Sequence, residues 1–364
     1  MSFNSLISIV IPHFNRAELL NETLDSIKAQ EYKNWEVLVV DDGSSDEQLS
    51  VLKGLATEQI RVLQRVDGRK GPSRCRNLGV SASKGIYVIF LDSDDTMAPW
   101  CLHKRMIKVE EMPEAELWVF PVLLFEKKPG DLSLCWNRLD GEDDLHRFLR
   151  SDPPWHTSST LWLKESLISI GGFNEMVFYG DDSELHSRAL LKNISYRKFS
   201  ECLPDVFIRR SDEPRITNVW TPSLVESRKV RLMEGTQMLK ELNAPSFAHD
   251  LWEGQYFLEG EELLFGLENS KSAIEEVIDL WTELYNPGFM RRVTVYSYFG
   301  VGAQFLNQFY LIVRVARRLA KMFLPDLFFP TGTTFQRWEI SETQTKEIRK
   351  RLHKERNLYK TNSL

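Results

Sequence analysis

The sequence predicts an α/β fold on a largely parallel sheet, and three observations carry that expectation. Short apolar runs alternate with amphipathic segments through the first half, each run ends in a polar loop, and long helical periodicities take over after about residue 215. The chain has 364 residues, of which 42% are hydrophobic and 27% charged. That is enough apolar material for a real core, which excludes a disordered tail or a disulfide scaffold.

Strands are expected at 6–11, 35–40, 60–64 and 86–91, where β-branched and aromatic residues cluster. Between them, 17–30 reads as a helix with Leu20, Leu24 and Ile27 on one face. A second helix follows the capping residues Ser44, Ser45 and Asp46, and a third begins near Pro72 and Ser73. Strand patterns return at 118–125 and 160–163. A turn at Gly171, Gly172 and Phe173 leads to a helix at 182–191, and a strand at 206–208 closes this unit. Long helical patterns follow, including 251–267 and 273–285. The expected division is therefore residues 1–215, a helical extension over 216–290, and a tail over 291–364.

The first three strands of this unit that end in chemistry do so at residues 12–16, 41–46 and 92–95. Ligands of open α/β sheets bind outside the carboxyl ends of the strands, so these loops should converge on one crevice. The dinucleotide fingerprint GxGxxG and a P-loop are both missing from the sequence.

At the densest point, Phe90 and Leu91 run directly into Asp92, Ser93, Asp94 and Asp95. Hard oxygen ligands on a loop suit Mg or Mn, with substrate phosphates completing the coordination. A solvated acidic loop would have the same composition. Company changes the balance: Val40, Asp41, Asp42, Gly43 and Ser44 repeat the design, and a carboxylate there can accept from a nucleobase N–H or a ribose hydroxyl, or cap a helix. Arg74 and Arg76 fall in the first turns of the helix that follows Gly71 and Pro72, where guanidinium groups and the helix N-terminus both favour anions.

These segments together resemble the family 2 glycosyltransferases over residues 5 to about 212. The resemblance rests on residues 8–16 (SIVIPHFNR), 40–44 (VDDGS), 71–79 (GPSRCRNLG), 90–95 (FLDSDD), 171–175 (GGFNE) and 180–185 (GDDSEL), six motifs in the family order. It implies a GT-A nucleotide-sugar fold. It also implies that Pro12, Phe14, Asn15 and Asp42 hold the nucleotide base, that Arg76 supports it, that Asp92 and Ser93 approach the sugar-nucleotide, and that Asp94 binds a divalent cation, Mn or Mg.

The Asp181–Asp182 pair looks like the family's Glu-Asp motif with Asp in the first position. Asp182 is then the candidate catalytic base, because an inverting transfer needs a carboxylate to take the acceptor proton. Helix capping by the same acids is the structural alternative. Asp181, Trp155 and Arg210 are further candidates for phosphate or acceptor contact.

Two departures from the family pattern matter. Val206 to Ser211 lacks the histidine that many relatives place there for the metal, so either Arg210 or Arg215 meets phosphate instead or another group completes the site. Gln336, Arg337 and Trp338 lack the spacing of processive relatives, so one sugar per encounter is expected.

The formal charge of −6 hides an asymmetry, because residues 291–364 hold 14 Lys/Arg against 5 Asp/Glu. Arg314, Arg317, Arg318 and Lys321 share one helical face, with Phe305, Phe309, Ile312, Ala316, Leu319 and Phe323 opposite. That pattern suits a helix lying on an anionic membrane surface, or one docked on the protein body or on a second copy. The four cysteines, Cys75, Cys101, Cys135 and Cys202, are too dispersed for zinc or a disulfide framework, and the N-terminus lacks a secretory leader, so a cytoplasmic setting is expected.

The expected function is inverting sugar transfer, non-processive, from a nucleotide-diphospho-sugar, UDP-linked by family habit, to a saccharide or lipid-linked acceptor in surface polysaccharide or lipopolysaccharide synthesis. A nucleotidyltransferase, a retaining glycosyltransferase and a non-catalytic sugar-nucleotide scaffold are the alternatives. Nucleic-acid binding is disfavoured, since the positive charge is confined to the tail.

Overall fold

The structure, a computed structural model, describes residues 4–66, 68, 70–136, 138–141, 143–210, 221–266, 270–305, 310–325 and 338–361, with backbone alone at 303–305, 310–314 and 354–361. The chain opens with β1 (Ile7–His13), α1 (Ala17–Lys28), β2 (Trp35–Asp41), α2 (Asp46–Gly54), β3 (Ile60–Gln64) and α3 (Pro72–Ala82). It continues through β4 (Tyr87–Phe90), β5 (Thr96–Met97), α4 (Cys101–Glu111), β6 (Leu117–Val119), β7 (Val122–Phe125) and α5 (Asp144–Leu149). Then come β8 (Thr160–Leu163), α6 (Lys164–Ser169), α7 (Asp181–Leu191), β9 (Tyr196–Lys198) and β10 (Val206–Arg209). The remaining elements are helical: α8 (Pro222–Glu241), α9 (Ser246–Gly266), α10 (Lys271–Tyr285), α11 (Phe289–Phe305), α12 (Tyr310–Ala320) and α13 (Glu342–Thr361).

Among the described residues the main sheet has seven strands in the order β3-β2-β1-β4-β8-β6-β9. β1 lies third in that order, parallel to both β2 and β4, with Ile7 opposite Trp35 on one side and Tyr87 on the other. Covered on both faces, these strands read as unbroken apolar runs. Two interior exceptions, Ser8 and Glu36, satisfy each other: buried Ser8 donates to Glu36 Oε1 at 2.7 Å and accepts from the Gly85 amide at 2.9 Å. β8 runs antiparallel between β4 and β6. The sheet therefore reverses beside β4, and the loop after β4 opens at that boundary.

The single strand expected over 118–125 is two strands in different sheets. Pro121 separates them, because it has no N–H to continue a ladder. β6 stays in the main sheet, and β7 joins β5 and β10 in a second one of three strands.

The helices from Pro222 onward build their own apolar cluster around Trp252, Tyr256, Phe257, Trp281 and Phe299. The amphipathic tail differs from its expected form. The apolar run is described as α11 up to Phe305 and α12 from Tyr310; Ala320 at the end of α12 and Leu324 after it are buried in this cluster, while Leu319 and Phe323 are exposed. Arg317 is drawn to the protein body as well, with its Nη2 at 3.0 Å from Glu261 Oε2. Phe309 lies outside the described residues, as do Arg215, Gln336 and Arg337, and Phe305, Ile312 and Arg314 are described by backbone alone. No helix among the described residues is long and apolar enough to cross a membrane. The last segment returns to the second sheet: the Cys135 amide donates to Trp338 O at 2.7 Å, and Ile348 is buried against Phe207 and Trp100.

A candidate active site at the strand tips

β1 and β2 end side by side, and the two loops after them are stitched together. Asn15 adopts a left-handed backbone with φ 49°, which Asn tolerates better than most residues. Its amide donates to Ser44 Oγ and its Oδ1 accepts from the Ser45 amide, both at 2.9 Å. The two acids of the second loop part company. Asp41 is fully buried and takes hydrogen bonds from the Gly43 and Ser44 amides, the Ser44 hydroxyl and His13 Nδ1. Burial alone would raise its pKa, but these donors outweigh burial and leave it lowered. Asp42 faces the crevice, where Arg65 Nε lies at 2.5 Å and the Gly71 amide donates to it at 3.0 Å. Phe14 stands 43% exposed at the rim with Lys70 Nζ 4.6 Å from its ring centre, and Pro12 is half-buried behind it.

The acidic loop after β4 is bound to the rest of the site by arginines. Arg76, on α3 and only 5% exposed, donates from Nη2 to Asp92 Oδ1 at 2.9 Å and from Nη1 to Asp181 Oδ2 at 2.7 Å. Burial would lower its pKa, but Asp181 and Asp92 raise it above the ordinary value. Ser73 Oγ also lies 2.8 Å from Asp181 Oδ2. Asp94 meets Arg16 Nη1 at 3.1 Å, and Ser93 is buried with its carbonyl accepting from Thr23. Asp95 turns inward, where its Oδ1 accepts from the Arg209 amide at 2.9 Å.

Asp182 follows Asp181 at the start of α7, so the helix N-terminus faces both acids. Its Oδ1 accepts from the Ser183 amide at 2.8 Å. Burial, followed by repulsion from Asp181, pushes its pKa up to about 7. Through Ser73, Arg76 and Gly71, the α3 N-terminus links Asp42, Asp92 and the Asp181–Asp182 pair in one hydrogen-bonded neighbourhood.

Two of the expected contacts find other partners. Trp155 is 1% exposed and packs edge-on against Phe148 and His186, so it is core and presents no face to an acceptor. Its neighbour His156 is the nearer group, with Nε2 4.0 Å from Asp92 Oδ2 while Nδ1 accepts from the Ser158 amide. Arg210 lies 3.9 Å from Glu126, and Arg209 instead reaches the acidic loop, its Nε donating to Asp94 O at 3.0 Å. Successive residues of an extended strand face opposite ways, so a shift of one position decides which arginine arrives. Sequence reasoning missed Arg16, Arg65 and Arg209, although each sits at or just past the carboxyl end of a strand, the same signal that singled out the acids.

The described residues contain no group of three His, Cys, Asp or Glu side chains arranged for a metal ion. What the acidic loop offers is Asp94, with Asp92 nearby on the same loop. That donor set fits a Mg- or Mn-type ion that takes one or two carboxylates and the rest of its oxygens from a diphosphate. All four cysteines are free, and burial raises Cys75 and Cys135 each to about 12, so neither is a nucleophile.

Residues 8–140 match the family model described as glycosyl transferase family 2. A Campylobacter jejuni protein named GalNAc(5)-diNAcBac-PP-undecaprenol beta-1,3-glucosyltransferase is 32% identical over 185 residues, covering 49% of this chain and 58% of that protein. Streptococcus pneumoniae glycosyltransferase GlyG is 26% identical over 202 residues, covering 52% of this chain and 66% of that protein. The chain thus spans only part of the length of these curated relatives. Among solved structures, residues 1–349 of Staphylococcus aureus TarS in complex with UDP-GlcNAc superpose with a TM-score of 0.59 at 16% identity, covering 86% of this chain and 91% of that one. That likeness is one of fold, and with the sheet order above it makes the architecture GT-A.

Proposed function

We propose that this chain, whose N-terminal unit belongs to glycosyl transferase family 2, moves one sugar per encounter from a UDP-sugar to an acceptor hydroxyl with inversion. The observation that carries the reading is the division of labour in the acidic pair. Asp181 is tied to Arg76 and Ser73, whereas the Asp182 carboxylate takes a hydrogen bond from the Ser183 amide and has a proton affinity suited to a base near neutral pH.

Asp182 takes the acceptor proton as the hydroxyl oxygen attacks the anomeric carbon. The bond to the diphosphate breaks on the opposite face, and its electron pair leaves with the nucleoside diphosphate. Phe14 offers a ring face to the base, and Asp42 offers an acceptor for a base N–H or ribose hydroxyl. Arg76 holds Asp92 and Asp181 in register, so that the donor loop and α7 address the same reacting centre. Asp94 would hold a Mn or Mg ion, which would supply Lewis-acid stabilisation of the leaving diphosphate.

A lipid-linked or membrane-proximal acceptor is supported by the undecaprenol in the name of the Campylobacter relative, and surface polysaccharide or lipopolysaccharide assembly is the setting we propose for it. It is also supported by the exposed Val315, Leu319, Met322 and Phe323 of the α12 region, which neighbour exposed Arg318 and Lys321. Flotation with anionic and neutral vesicles tests that part. The reading as a whole is tested by release of UDP from a panel of UDP-sugars, with and without Mn, in wild type and Asp182→Asn. Turnover by the variant at the wild-type rate overturns it.

A further inference from the structure

Tyr179 lies two residues before the Asp181–Asp182 pair, and helices from far along the chain hold it. The guanidinium carbon of Arg228 is 4.2 Å from the Tyr179 ring centre, and that of Arg231 is 5.7 Å away. Both arginines are buried on α8 and anchored from behind by α9. Arg228 Nη1 is 2.7 Å from Glu259 Oε1 and pairs with Glu262 as well, while Arg231 Nη2 is 3.4 Å from Glu259 Oε2. A desolvated cation over an aromatic face is attractive and directional. Next in the chain, Gly180 has a left-handed φ of +73°, and a Cβ added there would stand 3.0 Å from Arg231 Cδ. Asn174 Nδ2 donates to Glu234 Oε2 at 2.7 Å, a third tie to α8.

The same loop is gripped from the other side by α3. Asn77 Nδ2 donates to Phe173 O at 2.9 Å, Arg74 Nε pairs with Glu175 at 2.8 Å, and Ser73 Oγ lies 3.1 Å from Val177 O. The loop that presents Asp182 is thus suspended between the donor-side helix α3 and the helical pair α8–α9.

We propose that Tyr179, with the Arg228–Arg231–Glu259 cluster beneath it, is a positioning device through which the helical extension sets where the Asp182 carboxylate meets the acceptor. This rests on Asp182 as the base. The extension then acts in turnover through the ring of Tyr179, and donor binding does not depend on it.

The test compares Tyr179→Leu with Tyr179→Phe, the second keeping the aromatic face. The readouts are UDP release from the UDP-sugar that the wild-type chain turns over fastest, and hydrogen exchange of amides 177–183. Tyr179→Leu should lower kcat by about tenfold with donor KM within about twofold, and Tyr179→Phe should restore kcat. Exchange at 177–183 should quicken in the Leu variant while residues 90–95 keep wild-type protection. Unchanged kcat and exchange in Tyr179→Leu overturn the proposal, as does an equal loss in kcat and donor affinity, which marks a general structural role. An active Asp182→Asn enzyme would remove the base assignment alone, because the exchange comparison still shows whether the ring holds the loop.

Discussion

The two sides of the crevice are held by different kinds of force. On the donor side, Asp42 and the Asp92–Asp95 loop follow strands that pair in parallel with β1, so backbone ladders fix their positions. On the acceptor side, the loop from Gly171 to Gly180 pairs with no strand among the described residues, and Phe173 anchors it to the sheet through the ring of Phe90. Side chains of α3 and α8 hold it, and α9 braces the α8 arginines from behind. Backbone ladders tolerate changes of side chain, whereas a loop suspended by guanidinium groups does not. Mutations on the two sides should therefore fail in different ways, one through the chemistry of the mutated group and the other through its placement.

The largest effect expected is that of Asp182→Asn. Removing a general base typically costs about 10²–10⁴-fold, and here the loss should fall on kcat with donor affinity preserved. Circular dichroism and nucleotide binding at wild-type level would separate this from misfolding. Loss of donor affinity in this variant would erase the contrast between the two sides.

Arg76 joins the two sides, and Arg76→Met should cost the most stability. It leaves Asp92 and Asp181 facing each other without a cation, and breaking a buried pair from one side costs about 3–5 kcal/mol. Denaturant unfolding measures this. The deficit should shrink as pH falls, because a protonated Asp181 no longer needs its partner.

The pH dependence sharpens the comparison through two aspartates with opposite shifts. Asp182 is raised to about 7, first by burial and then by Asp181, so a rate that needs its charged form should climb as pH passes about 7. Its contribution to stability has the opposite sense: it is fully present below the ordinary value of 3.8 and is lost as pH rises through about 7. Asp41 is lowered because hydrogen bonds from Ser44, His13 and Gly43 outweigh its burial. Its contribution is present above 3.8 and disappears as pH falls through the lower folded value. Asp41→Asn should therefore flatten the acid limb of unfolding and leave the rate profile near pH 7 in place.

The same division explains what was legible in the sequence. β3 and β8 have the expected bounds, and the acidic loops after β2 and β4 fall where the apolar runs end. Parallel strands advertise themselves through periodicity, and whatever follows them lies at one edge. Nothing local announces Arg228 or Glu259 as neighbours of Tyr179, since 49 and 80 positions separate them along the chain. Trp155 shows the converse error: an aromatic beside a polar run resembles a sugar platform, yet the rings of Phe148 and His186 draw it into the core. The two halves of Asp41–Asp42 look equivalent as letters, and only the turn that aims the Gly43 and Ser44 amides at the first one separates their roles.

The smallest effect concerns Phe14, which decides whether the donor side includes a stacking face as well as acids. Its ring is 43% exposed with Lys70 on it, and no core packing depends on it, so Phe14→Ala should leave the melting temperature unchanged. A base stacked on such a ring gains about 1 kcal/mol, so UDP affinity measured by calorimetry should fall about fivefold. Turnover at saturating donor should stay at the wild-type level, because the base contributes equally to the ground state and the transition state. If Phe14→Ala instead lowers kcat at saturating donor, the ring contacts something that changes during transfer. The acceptor would then reach across β1, and the donor and acceptor sides would share a wall.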